Sequence, residues 1–151
     1  MPFDRLCRAM DEWAAAHPGT PVEIQIGKGA YEPRHARWVS TLALPDYQAR
    51  VAACDLFVAH CGMGSIISAI EAGKPILMLP RLEALGEHNT DHQLATAKHV
   101  GIRPGLHVAA DADDLKARAT ALLGANAPPP APISRFADPA FTNRIRAFIE
   151  A

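Results

Sequence analysis

Apolar positions along the chain follow two patterns that alternate with each other. Residues 3–16 carry apolar side chains every three to four positions, which predicts an amphipathic helix. Short apolar runs predict strands at 22–26, 38–42, 55–59, 75–80 and 105–108. Helical spacing predicts further helices at 45–53, 65–72, 88–99, 111–123 and 136–149. Strands that alternate with helices indicate a three-layer α/β domain built on a parallel sheet.

Proline and glycine residues interrupt the predicted helices and strands, and their positions suggest how the chain is divided. Residues 126–132 contain four prolines, which predicts a stiff linker. We therefore expect a main domain over 1–125, the linker at 126–132 and a C-terminal helical segment over 133–151. Both tryptophans, Trp13 and Trp38, are expected in the core.

The net charge and the cysteine content disfavour several classes of function for this protein. The 15 Lys and Arg residues nearly balance 16 Asp and Glu residues, so the net charge is -1. A general nucleic-acid binder needs a basic excess, and this class is disfavoured. No apolar run reaches the length of about 18 residues that spans a bilayer. Three scattered cysteines fit neither a disulfide framework nor a CxxC zinc site, and favour a reducing cytosol.

The most informative motif is a glycine turn between a predicted strand and a predicted helix. It reads His60-Cys61-Gly62-Met63-Gly64-Ser65. Glycines let the backbone approach a ligand closely, and free N–H groups at a helix start favour an anion such as phosphate. Ser65 is expected to cap the helix or to donate to that phosphate. The alternative is a tight structural turn with a buried histidine. Neither a dinucleotide fingerprint nor a Walker loop fits these residues.

Several segments around this turn resemble the glycosyltransferase family 28 C-terminal domain, the donor-binding half of GT-B enzymes. The matching segments are 60–65, 71–75, 80–81 and 86–95, with a weaker match at 25–29. The resemblance is greatest to the soluble subunit of two-component UDP-sugar transferases of bacterial exopolysaccharide synthesis. It implies a Rossmann-like fold, and an inverting sugar transfer that is active only with a partner subunit.

The resemblance also assigns a donor site, with UDP-sugar as substrate and with neither a cofactor nor a metal. Gly62, Met63, Gly64 and Ser65 would wrap the diphosphate beside His60, and Gln93 with the adjacent His92 would reach the sugar hydroxyls. Lys28, following Gly27, and Arg81 would balance phosphate charge. No general base is assigned, because GT-B enzymes usually carry it on the acceptor domain.

Two positions depart from the family pattern. A ribose-binding Glu is expected where this chain has Ser68, and Glu71, almost one helical turn further, is the substitute. The family's first strand would also precede residue 2 and lie centrally in the sheet. Without that strand we expect two neighbouring strands to lack partners, or the sheet to close by a shift. An added upstream strand is expected to raise the melting temperature.

A membrane-anchored subunit that carries a lipid-linked acceptor would complete the enzyme at the cytoplasmic face of the membrane. The docking element is predicted in the C-terminal segment, whose apolar residues either bind the partner or pack on their own domain. These residues are Phe136, Phe141, Ile145, Phe148 and Ile149.

Three alternative interpretations stay open. His88 and His92 have the spacing of a zinc site on a helix, although no third ligand is evident. Asp111 and Asp113 resemble an acidic metal motif, but acids are also favoured at a helix start. Finally, the chain is either an active glycosyltransferase subunit or a nucleotide-sugar-binding module without transfer activity.

Overall fold

The computed structural model describes residues 1–132 and 137–150 as helices alternating with short parallel strands. The helices are α1 (Asp4–Ala16), α2 (Leu44–Ala53), α3 (Met63–Ala72), α4 (His92–Val100), α5 (Ala112–Gly124) and α6 (Pro139–Ile149). The strands are β1 (Glu23–Gln25), β2 (Arg37–Val39), β3 (Phe57–His60), β4 (Ile76–Leu79) and β5 (Leu106–Val108). The predicted order of elements is confirmed, and with it the α/β class.

The strands form two separate parallel ladders. In one, β1 pairs with β2, and Ile24 lies opposite Trp38. The other has the order β3-β4-β5, with Ala59 opposite Met78. No strand pairing joins the ladders in the described part of the chain. The interruption expected from the sequence is therefore present, and no shift of strands has closed it.

Strand β4 is the centre of the core. All four of its side chains are fully buried, as expected for a continuous apolar run covered on both faces. Leu77 and Leu79 pack in one cluster with residues of α1, α5 and β1. Ile76 and Met78 pack in another cluster with residues of α3 and β3. These clusters make the three layers, and they fix the start of α3 relative to the end of β4.

The two tryptophans have different environments. Trp13 is buried in α1, and its indole N–H donates to the Thr120 hydroxyl at 2.9 Å. Trp38 is 39% exposed, so the prediction that it lies in the core is wrong. The reason is its position on β2, which has β1 as its only partner strand among the described residues.

The proline segment and the C-terminal helix also differ from each other. Pro130 is buried against Gly105, where any side chain would overlap the backbone of the prolines and where φ is +77°. Every residue of α6 is exposed, including the apolar stripe of Phe141, Ile145, Phe148 and Ile149. Phe136, predicted to belong to this stripe, lies outside the described residues. No helix within 1–132 or 137–150 is both long and apolar enough to cross a bilayer.

Candidate functional site

The glycine turn connects the carboxyl end of β3 to the start of α3. Helix α3 begins at Met63 with Gly62 as its N-cap, two residues before the predicted start. The N–H groups of Met63, Gly64 and Ser65 have no acceptor in the part of the chain that the structure describes. Met63 and Gly64 are exposed. These donors and the positive end of the helix dipole together favour an anion at this position.

The three small residues of the turn have distinct roles. A Cβ at residue 62 would overlap the His60 ring, so Gly62 is what lets this ring fold back over the turn. At Gly64, in contrast, an added Cβ meets no atom within 4 Å, so the backbone there faces open space. Ser65 is buried as the third residue of α3, so the helix does not start there and Ser65 is not its N-cap. The alternative role, donation to a phosphate, stays a prediction.

Cys61 does not supply a nucleophile to this site. Its side chain is fully buried, and burial raises the pKa of its thiol to about 11. The thiol is therefore protonated at neutral pH, whereas nucleophilic chemistry requires the thiolate.

Gln93 connects the glycine turn to the end of β4. It lies in the first turn of α4 and is 7% exposed. Its Oε1 accepts from the Arg81 backbone N–H at 3.1 Å, and its Nε2 lies 3.2 Å from His60 Nδ1. Burial lowers the pKa of His60, and the positive charge of Arg81 lowers it further. His60 is therefore neutral at physiological pH.

Arg81 provides the positive charge of the site. Its Nη1 donates to the carbonyls of Met1 and Glu87 at 3.1 and 3.3 Å, and its guanidinium lies 5.0 Å from the Phe3 ring centroid. The Glu87 carboxylate is instead paired with Arg5, at 2.9 and 2.7 Å. The charges of Arg5, Arg81 and Glu87 sum to +1, so this group of side chains keeps one net positive charge. Burial lowers the pKa of Arg81, but an arginine remains protonated.

Three other predicted site residues, Lys28, Glu71 and His92, are exposed. His92 is exposed beside Gln93, and Lys28 is exposed after Gly27, whose φ of +61° makes the turn that ends β1. Glu71 is exposed near the end of α3, about 12 Å along the helix axis from its start. Ser68, at the position of the expected ribose ligand, donates to the Gly64 carbonyl at 2.9 Å. The structure thus brings His60, Arg81 and Gln93 together at the turn.

The two metal alternatives find no support in the geometry. His88 Nδ1 lies 3.0 Å from the Thr90 carbonyl oxygen and 3.2 Å from its N–H, so this nitrogen is occupied locally. Asp111 accepts from the N–H groups of Asp113 and Asp114 and caps α5. Within residues 1–132 and 137–150, no group of three His, Cys, Asp or Glu side chains is arranged to hold a metal.

Sequence reasoning missed the role of Arg5. Arg5 also donates to the Pro80 carbonyl at 2.8 Å, so α1 is fastened to the loop after β4. The partner Glu87 is 82 positions away in the sequence, and no local pattern predicts such a pair.

Comparisons with known proteins agree with the fold of this chain. A family model described as "Glycosyltransferase family 28 C-terminal domain" matches residues 2–123. A solved structure described as "Crystal Structure Analysis of the Glycotransferase of kitacinnamycin" is similar over 94% of this chain, with a TM-score of 0.56 and 21% identity. At that identity the likeness concerns the fold. This chain spans 33% of that protein, about a third of its length. No curated protein matches the chain.

Proposed function

Because the chain belongs to the family of glycosyltransferase family 28 C-terminal domains, we propose that it binds a UDP-sugar and presents the sugar for transfer. The observation that carries the proposal is the exposed start of α3, with Gly64 open in front and with the His60 ring folded over Gly62 and linked through Gln93 to the backbone of Arg81. This arrangement supplies backbone donors, one uncompensated positive charge and one neutral ring. A nucleoside diphosphate needs such an environment.

The same groups suit the chemical step as well as binding. When the bond to the sugar breaks, the leaving diphosphate gains negative charge. Donors that are already oriented toward that charge stabilise the transition state without reorganisation. We infer an inverting displacement, in which the acceptor attacks the sugar carbon opposite the diphosphate. The general base would come from the acceptor-binding half of the enzyme.

A partner subunit is the second part of the proposal. The likeness to a solved glycosyltransferase extends over a third of that protein, which leaves room for an acceptor-binding half elsewhere. Helix α6 carries four exposed apolar residues on one face, and such a stripe is typical of a docking helix. We propose that α6 binds a membrane-anchored subunit, which supplies a lipid-linked acceptor for exopolysaccharide synthesis at the cytoplasmic face of the membrane.

Donor binding is tested by calorimetry with UDP. Gly64→Val places a side chain in front of the α3 N–H groups and is expected to abolish measurable binding. Gly124→Val is the matched control, because Gly124 also lies at a helix end where an added Cβ meets nothing within 4 Å. Unchanged UDP affinity in a folded Gly64→Val variant contradicts the proposal.

Partner binding and transfer are tested on α6. Ile145→Asp with Phe148→Asp is expected to prevent co-purification with the membrane subunit and to abolish sugar transfer by the pair, while UDP binding is retained. Asn143→Asp, on the opposite side of the same helix, is the control. If the two subunits together bind UDP-sugar but never transfer the sugar, the chain is a binding module and not a catalytic subunit.

A further inference from the structure

The hydrogen bonds of Gln93 fix the orientation of its side-chain amide. The backbone N–H of Arg81 is a donor only, so the group of Gln93 that lies 3.1 Å from it is the amide oxygen. The amide NH₂ is then directed to His60 Nδ1, at 3.2 Å. At 7% exposure, Gln93 is well enclosed, and a flipped amide would place two donors against each other at Arg81.

This orientation determines which ring nitrogen of His60 carries the proton. An amide NH₂ donates and does not accept, so Nδ1 of His60 is the acceptor and carries no proton. A neutral imidazole has one N–H, which must then be on Nε2. Nε2 has no protein partner among the described residues, and the ring lies over Gly62 at the exposed start of α3.

The surroundings of the ring also oppose a second proton. Burial of the ring is the largest cause that lowers the pKa of His60, and the positive charge of Arg81 lowers it further. A hydrogen bond from a protonated Nδ1 to the Gln93 amide oxygen would raise this pKa, but that oxygen accepts from the Arg81 backbone N–H instead. A proton on Nδ1 would in addition face the donor NH₂ of Gln93. The neutral Nε2–H form is therefore the one that suits both Arg81 and Gln93.

We propose that Gln93 is a positioning residue, which holds His60 in the Nε2–H tautomer so that this N–H donates to an oxygen of the bound diphosphate. The tautomer is a property of the protein alone, and its use in binding depends on the proposed function. Gln93 then serves the diphosphate through His60, and its contribution does not require the sugar.

The tautomer is tested directly by ring ¹⁵N and ¹³C NMR of His60 in the protein without nucleotide. We expect a protonated Nε2 and an unprotonated Nδ1 at neutral pH. In Gln93→Glu the carboxylate accepts from both Arg81 N–H and the ring, so the proton is expected on Nδ1 and the His60 pKa is expected to rise by about one unit. A wild-type ring protonated on Nδ1, or a tautomer unchanged in Gln93→Glu, overturns the proposal.

Nucleotide titrations separate this proposal from the proposed function. Gln93→Leu is expected to weaken UDP and UDP-sugar equally, by about tenfold, as for the loss of one hydrogen bond to a charged group. A loss confined to UDP-sugar assigns Gln93 to the sugar and overturns the positioning role. If the wild-type protein shows the Nε2–H tautomer of His60 but binds neither UDP nor UDP-sugar, the proposed donor binding is wrong. The proposal that Gln93 fixes the tautomer of His60 would still hold.

Discussion

Helix α1 contributes to two buried polar clusters that have opposite characters. At its middle, Asp11 accepts from the Tyr31 hydroxyl and from the backbone N–H groups of Arg34, His35 and Ala36, at 2.7 to 2.8 Å. We call this the Asp11 cluster. At its start, Arg5 joins Glu87, Arg81, Gln93 and His60, which we call the Arg81 cluster.

The two clusters differ in how fully their polar atoms are satisfied. Both carboxylate oxygens of Asp11 have two donors, so nothing in that cluster is left for a ligand. In the Arg81 cluster, Arg81 Nε is buried and has no acceptor among the described residues, and His60 Nε2 is also unpaired. A buried cluster whose polar atoms all have hydrogen-bond partners serves to stabilise the fold. Donors without acceptors at the carboxyl edge of a sheet are instead typical of a binding site.

The largest expected effect comes from breaking the Asp11 cluster. Asp11→Ala leaves three backbone N–H groups without acceptors in a site that is 1% exposed. We expect the free energy of unfolding in urea to fall by about 3–5 kcal/mol. The UDP affinity of the folded fraction should not change. A loss below about 1 kcal/mol would mean that the loop is held by other contacts.

Arg81→Met should show the reverse pattern. We expect UDP affinity to fall by about 10- to 100-fold, as for a charge-assisted contact to phosphate, and stability to fall by only about 1–2 kcal/mol. Arg103→Met is the control, since Arg103 is an exposed arginine. Calorimetry and urea unfolding of both variants measure the two quantities. Equal UDP affinity in the two variants would remove Arg81 from the site.

The variant Glu87→Gln distinguishes the effect of the Glu87 charge on UDP binding from the contribution of Glu87 to stability. It weakens the pair with Arg5 and replaces the acceptor of the Leu82 N–H, so stability should fall by about 2 kcal/mol. Because a negative charge is removed, UDP affinity should stay equal or increase. Weaker UDP binding at unchanged stability would show that Glu87 itself serves the ligand.

These variants also indicate which parts of the molecule the sequence could predict. Local patterns predicted α1, the apolar β4 and the end of α3, where Gly73 adopts φ +62°. They failed at Trp38, because β-propensity does not reveal which strand is an edge. They also missed the Asp11 cluster, because its partners are on a loop about 20 to 25 positions away.

The sequence predicted one part of the candidate site and missed another. The glycine turn was recognisable because its residues are contiguous and their chemistry is local. The pairing of Gln93 with His60, 33 positions apart, depends on how α4 packs and is visible only in the fold.

Acid should weaken the Asp11 cluster in particular. Burial by itself would raise the pKa of Asp11, but the hydrogen bonds from Arg34, Tyr31, Ala36 and His35 lower it well below its ordinary value. Its stabilisation is therefore complete above about pH 4, the pKa in the unfolded chain, and is lost as the pH falls below this. We expect a slope of up to about 1.4 kcal/mol per pH unit there. Urea unfolding of Asp11→Asn should lack that part of the slope.

The smallest expected effect is that of a chelator. In the donor site that we propose, the Arg81 cluster and the α3 N–H groups would bind the diphosphate without a metal, so we expect EDTA to leave UDP affinity and sugar transfer unchanged. Loss of transfer in EDTA that zinc or manganese restores, and that His88→Ala or Asp111→Ala abolishes, would assign a metal to one of the two alternative sites.

The contact between Pro130 and Gly105 limits how far from the sheet α6 can begin. It fixes the chain at the amino end of β5, and Pro139, where α6 begins, is nine positions after Pro130. Nine extended residues reach at most about 30 Å. The docking helix that we propose therefore begins within about 30 Å of the sheet edge opposite the glycine turn. A partner bound to α6 would for this reason stay close to the domain.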